Sequence, residues 1–249
     1  TPHTMEQENY IFGIRAIEEA ILAGKIIDKV VAKKGLNGEL FTKFVATCKS
    51  HNIRIQYTTS EVLNKITTAN HQGVIAFISK VDYLNNIHEI FKIAEAKGEA
   101  PFVIILDGIT DVRNLGAIAR SADCAGAHAI IVPQKGSAPI NGESVKTSAG
   151  ALHHIPVCMT KNIYIAAKIL KENGVQIIGA TEKGAKPYYE HDFSKPTAII
   201  MGSEDKGIST QVLKLCDSNA LIPMYGHIES LNVSVAAGVI LFEIARQRH

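Results

Sequence analysis

The stretch Phe102-Val103-Ile104-Ile105-Leu106-Asp107-Gly108-Ile109-Thr110-Asp111-Val112-Arg113-Asn114-Leu115-Gly116-Ala117-Ile118-Ala119-Arg120 decides the fold. Its opening apolar run, 102–106, reads as a strand buried on both faces, as in a parallel sheet covered by helices. A polar turn follows, and apolar residues then recur at helical spacing over 115–125. The same unit repeats downstream. Strands are expected at 129–132, 155–159, 175–180, 197–201 and 220–222, and helices at 163–172, 210–215 and 232–247. This alternation predicts an α/β domain on a mostly parallel sheet. Such sheets bind ligands at the carboxyl ends of their strands. Function is therefore sought in the loops after Leu106, Ala180, Met201 and Ile222.

Upstream, helical spacing over 13–24 and 41–51 and a short helix from Ser60 interleave with strands at 26–32, 53–57 and 74–78. These form a second, small α/β unit, large enough to fold but with a modest core. The stretch between is polar, with one weakly amphipathic helix at 87–96, and reads as a linker. The expected domains are 5–79, a linker over 80–98, and 99–249.

Across 249 residues, 46% are hydrophobic and 20% charged, which fits a soluble globular protein rather than a disordered or fibrous one. The formal net charge is only +2, which by itself speaks against a polycationic nucleic-acid binder. Cys48, Cys124, Cys158 and Cys216 are scattered and form no CxxC pair, so buried, reduced thiols in a cytoplasmic protein are expected. No Cys/His cluster of metal-binding spacing occurs, and no metal is expected. No apolar run spans a membrane, and the first residues lack a signal-peptide core.

Three loops carry candidate chemistry. In the first, Asn114 is placed to cap the following helix, and Gly116 lets a ligand or second chain approach closely. Arg120 reads either as a surface ion-pair partner or as an anion fork. In the second, Gly202 and Gly207 bracket Glu204. Lys and Ser/Thr do not follow Gly207, so this is not a P-loop, and Glu204 suits a cationic or hydroxyl-bearing ligand. It also reads as a solvated turn. In the third, Ser230, Asn232 and Ser234 alternate at a helix start, and Val235-Ala236-Ala237-Gly238 gives a small-residue surface for close packing. GxGxxG, GxSxG and HExxH are all absent.

In this order, Asn114-x-Gly116-x-x-x-Arg120, Gly202-x-Glu204-x-x-Gly207 and Ser230-Leu231-Asn232-Val233-Ser234 resemble the three motifs of the SpoU (TrmH-like) branch of the SPOUT methyltransferases. Phe12-Gly13-Ile14 and His71-Gln72-Gly73 resemble that family's ribosomal-protein-like RNA-binding domain. The two-domain combination is most similar to members that methylate a guanosine ribose of 23S ribosomal RNA.

The resemblance implies a SPOUT-type parallel-sheet domain with a carboxy-terminal trefoil knot, a homodimer, and S-adenosylmethionine as cofactor. It assigns Arg120, Asn114, Glu204, Ser230 and Asn232 to catalysis. It assigns Thr181, Glu182, Met201, Gly202, Gly207, Ile222, Met224, Ser230, Leu231 and Asn232 to the cofactor. Arg15, Lys33, Lys34, Arg113, Lys135 and Lys146 are the candidate RNA contacts. Two further readings stand beside the ribosomal-RNA enzyme: a transfer-RNA ribose methyltransferase, and a non-enzymatic ribosomal-RNA-binding or assembly protein of the same fold. Residues 1–98 carry 12 Lys+Arg against 10 Asp+Glu, and residues 99–249 carry 14 of each. RNA recognition is thus expected to rest on placed patches and shape.

Overall fold

The computed structural model describes residues 10–249 apart from 24, 26, 52, 79–80, 141 and 184–185. Positions 5–9 and the expected boundary at 79–80, along with the first residue of the strand expected at 26–32, lie outside the described residues. The chain forms two compact units divided between residues 80 and 81.

The first unit contains β1 (Tyr10–Phe12), α1 (Ile14–Leu22), β2 (Ile27–Lys33), α2 (Glu39–Ser50), β3 (Ile55–Thr58), α3 (Ser60–Ile66) and β4 (Val74–Ile78). Its sheet runs β1-β4-β2-β3, with only the β2–β3 pair parallel. Ile14, Ile17 and Ile21 of α1 and Phe41, Phe44 and Cys48 of α2 pack with Val30, Ala32, Val74 and Ala76. Leu63 of α3 packs with Val31 and Ile75, the alternate strand residues. The strand period of two therefore feeds two small cores.

The second unit contains β5 (Tyr83–Leu84), α4 (His88–Lys97), β6 (Phe102–Asp107), α5 (Val112–Cys124), β7 (Ala129–Pro133), α6 (Gly142–Thr147), β8 (Val157–Thr160) and α7 (Ile163–Glu172). It continues with β9 (Gln176–Ala180), β10 (Lys186–Pro187), β11 (Thr197–Gly202), α8 (Thr210–Leu213), β12 (Ser218–Leu221) and α9 (Val233–Arg248). The sheet order is β10-β12-β9-β11-β6-β7-β8-β5, with every pair parallel. Phe102, Ile104 and Leu106 face α5 and α9 on one side. Val103 and Ile105 face α4, α7 and α8 on the other. The apolar run 102–106 is buried throughout for this reason.

The stretch expected as a linker differs. From 81 onward it belongs to the second unit: β5 pairs with β8, and Ile87 and Ile90 are buried in its core. Cysteines differ at one position. Cys48 and Cys158 are buried and Cys216 half-buried, and burial pushes all three thiols up to about 11. Cys124, at the end of α5, is exposed. No described helix is long and apolar enough to cross a membrane.

Candidate active site

Strand register places four loops side by side. Met201 of β11 pairs with Leu106 on one side and Ala180 on the other; Gly202 pairs with Asp107, and Ala220 of β12 pairs with Ala180. The loops after β6, β9, β11 and β12 thus leave the same edge at the same level.

The cap of α5 is Asp111, whose carboxylate accepts from the N–H groups of Arg113 and Asn114 at 2.7 and 2.9 Å. Asn114 therefore sits inside the first turn, not at the cap the sequence suggested. Its side chain is released for longer-range contact. Asn114 Nδ2 donates to Glu204 Oε1 at 3.1 Å, and Asn232 Nδ2 donates to the same oxygen at 2.9 Å. Asn232 Nδ2 also reaches Asn114 Oδ1 at 3.0 Å, closing a three-residue cluster. Asn232 is itself the cap of α9, its Oδ1 accepting from the N–H groups of Ser234 and Val235. Ser234 hydroxyl joins the same oxygen, so of the three alternating polar residues only Ser230 is left over by the cap.

Glu204 is held where it is by a tight hairpin. Ser203 and Gly207 exchange backbone hydrogen bonds at 3.2 and 2.8 Å, and Gly207 has φ +65°. A Cβ on Gly202 would lie 2.1 Å from the Gly207 carbonyl carbon, so only glycine fits there. The two glycines thus shape the loop as well as line the cavity beside it.

That cavity, about 440 Å³, opens between the loops after β9, β11 and β12 and the first turns of α9. Each residue expected to bind the cofactor lines it: Thr181, Glu182, Met201, Gly202, Gly207, Ile222, Met224, Ser230, Leu231 and Asn232. Glu204 also lines it; Asn114 does not, and meets it through its hydrogen bonds to Glu204 and Asn232. Sequence reading missed Val233, Ala236 and Ile240, whose spacing of three and four marks one face of α9, and it missed Glu229 and Ser203. Glu182, Glu204 and Glu229 line the cavity, and no described Lys or Arg does. Apolar walls with three carboxylates and no cation suit a ligand that is partly apolar, carries positive charge and lacks phosphate.

Arg120 is exposed and makes no hydrogen bond or ion pair among the described residues, so the ion-pair reading does not hold within this chain. It does not line the cavity of its own chain. Arg15, Lys33, Lys34, Arg113, Lys135 and Lys146 are all exposed. Gly116 serves contact within the chain rather than a ligand: a Cβ there would lie 2.7 Å from Thr147 Cβ and 2.9 Å from the Ser144 carbonyl oxygen, both on α6. The small residues of α9 are also used internally. Ala236 faces the cavity, Ala237 is buried, and Gly238 lies against Ser121 of α5. Among the described residues, no three His, Cys, Asp or Glu side chains gather as a metal site.

Two family models match: the SpoU rRNA methylase family over residues 101–242, and RNA 2′-O ribose methyltransferase substrate binding over 10–84. The Bacillus subtilis protein YacO, named for the TrmH family of tRNA/rRNA methyltransferases, is 34% identical over 98% of both chains. The SpoU methyltransferase AviRb from Streptomyces viridochromogenes, crystallised with S-adenosylmethionine, superposes with a TM-score of 0.60 at 26% identity, covering 97% of this chain and 90% of its own. An rRNA methyltransferase from Sinorhizobium meliloti, also with S-adenosylmethionine bound, gives 0.59 at 26% identity over 95% of this chain and 86% of its own. By its motifs, its fold and these likenesses, the chain belongs to the SpoU family of S-adenosylmethionine-dependent RNA methyltransferases.

Proposed function

We propose that this chain methylates the ribose 2′-oxygen of a guanosine in 23S ribosomal RNA, in the cytoplasm and as a homodimer. The observation that carries the reading is the junction of two features. A phosphate-averse, carboxylate-lined cavity lies against the Asn114–Glu204–Asn232 cluster at the edge of the sheet. Likeness over nearly the whole chain to a protein described as an rRNA methyltransferase supports the target. A transfer-RNA target is the second reading, favoured by the paired tRNA/rRNA name of YacO.

Bound S-adenosylmethionine supplies a methyl group activated by its sulfonium charge. Ile222, Met224 and Leu231 offer apolar walls to its nucleoside, and the backbone of Thr181, Met201 and Gly202 offers polar contacts. Glu182 and Glu229 favour its positive groups. Glu204 fixes the amides of Asn114 and Asn232 in a set orientation, and with Ser230 they present polar groups to the ribose. Arg120 grips an RNA phosphate, and its field lowers the pKa of the 2′-hydroxyl. Guanidinium has a pKa above about 12 and cannot serve as the base, so the proton leaves to a phosphate oxygen or water.

Arg120 lies six residues beyond Asn114, about 9 Å along the helix and on another side of it. The homodimer resolves this by giving Arg120 to the partner's cavity. Val235 and Phe242, both about half exposed on α9, supply an apolar face for such pairing. Convergence of the loops after β9, β11 and β12 on one cavity supports the trefoil knot expected of the family.

The test is transfer of labelled methyl from S-adenosylmethionine to a 23S transcript, with wild type and Arg120→Ala side by side. Wild type is expected to label one 2′-O-methylguanosine. Arg120→Ala should lose turnover by about 100-fold or more, on the scale of a lost transition-state contact, while keeping its cofactor affinity. Equal activity of the variant would remove Arg120 from the reaction.

A further inference from the structure

A second cavity, about 310 Å³, lies on the same edge of the sheet, at the ends of β6, β7 and β8. Lys135, Lys161, Tyr164 and Gln211 line it, together with Asp107 and the α7 cap residue Asn162. Its charge is the reverse of the first cavity's. Two lysines stand there, both exposed and neither with a hydrogen bond or ion pair among the described residues. Its single carboxylate, Asp107, already accepts from the Ser209 N–H at 2.8 Å. Tyr164 is half-buried, its ring anchored against the core beneath α7 while still lining the groove.

The two cavities are neighbours. Gly108 lines the second and Ser203 the first, and a Cβ on Gly108 would lie 3.6 Å from Ser203 Cβ. In strand order, β7 is two positions from β11, about 10 Å at the usual strand spacing. An RNA strand that offers a ribose to the first cavity meets three carboxylates there, which repel its phosphates. Its backbone must be gripped alongside, and the groove is the adjacent positive surface on that edge.

We infer that this groove is a subsite for a nucleotide flanking the methylated one. Lys135 and Lys161 hold its phosphate, and Tyr164 stacks on its base. Gln211 donates to or accepts from the base edge. Single-stranded RNA is the class of ligand, because stacking on Tyr164 requires an unpaired base. The inference rests on the RNA ribose methyltransferase reading and adds to it the path of the strand.

The experiment measures binding of a 23S transcript to the full-length protein across a salt series, without turnover. It compares Lys135→Ala/Lys161→Ala, Tyr164→Leu and the control Lys168→Ala, whose lysine lies on α7 outside the groove. The double variant is expected to bind RNA about 10-fold more weakly, with the salt slope reduced by about 0.7, as for one phosphate of a single strand no longer neutralised. Tyr164→Leu should weaken binding about 10-fold with the slope unchanged, since stacking carries no counterions. Cofactor affinity should stay at the wild-type value in every variant, which also reports folding. RNA affinity and salt slope of the double variant equal to those of Lys168→Ala would overturn the subsite. Methyl transfer by wild type is read separately, so a failed groove leaves the ribose methyltransferase reading standing, and a failed transfer is seen apart from binding.

Discussion

Asn232 performs two tasks with one side chain. Its oxygen caps α9, and its amide nitrogen bonds Glu204 and Asn114. Asn232→Ala loses both tasks and should cost about 1 kcal/mol from the cap alone. Asn232→Asp keeps the cap but sets a second carboxylate against Glu204, where like charges oppose each other. The expected outcome is a melting temperature for Asn232→Asp no lower than that of Asn232→Ala, with methyl transfer lost in both. Thermal melts and a transfer assay check this; full activity in Asn232→Asp would mean that the amide is not needed. The residues of this cluster stood out in the sequence only through their motifs. Asn114 and Glu204 are 90 positions apart, and Asn114 and Asn232 are 118 apart. No local spacing brings such residues together. The cap of α5 was misread because Asp111 and Asn114 are both good capping residues, and only the backbone decides between them.

At the scale of elements, close helix packing makes a prediction whose sign is informative. Ala in an open helix interior stabilises over Gly by about 1 kcal/mol. At Gly116 the added methyl meets Thr147 and the α6 backbone at 3.0 Å or less, so overpacking of about 1–3 kcal/mol should win. Gly116→Ala is expected to melt below wild type, and a higher melting temperature would show that α6 yields. The strands were legible because their apolar runs are buried on both faces, and β6, β7, β9 and β11 fall within about a residue of expectation. Elements without that signal were not legible. The two-residue strand β5 has no period, and α6 is a polar six-residue helix; α4 falls within a residue of its expected bounds, but its weak amphipathicity hid that it packs into the second unit's core. The register that aligns the loops is likewise a property of the assembled sheet rather than of any one segment.

At the scale of the whole molecule, the end of the sheet opposite the site is pinned by polar contacts. Arg248 donates to the carbonyls of Ala100, Pro101, Phe193 and Lys195, fastening the end of α9. Beside it, buried His128 accepts from the Phe102 N–H at 3.0 Å through Nδ1 and pairs with Glu99 through Nε2. Burial, then the positive charge of Lys97, pushes the His128 imidazole below its usual range. The unfolded chain therefore binds more protons than the folded one between the folded pKa and about 6.5. Stability from this group is complete above that unfolded value and is lost as pH falls below it. The melting temperature should drop on acidification from about pH 7.5 to 5.5, and drop less in His128→Gln. An equal drop in both would assign the effect to other groups, buried His191 first, whose imidazole burial also holds down.

The net charge of +2 is reconciled with an RNA substrate by separation rather than excess: carboxylates around one cavity, lysines around the next. The most direct test of the central claim is a map of ribose 2′-O-methyl groups in ribosomal and transfer RNA from cells with and without this protein. One guanosine of 23S ribosomal RNA is expected to lose its 2′-O-methyl group when the protein is absent. A lost methyl group in transfer RNA, or an unchanged map, would contradict it.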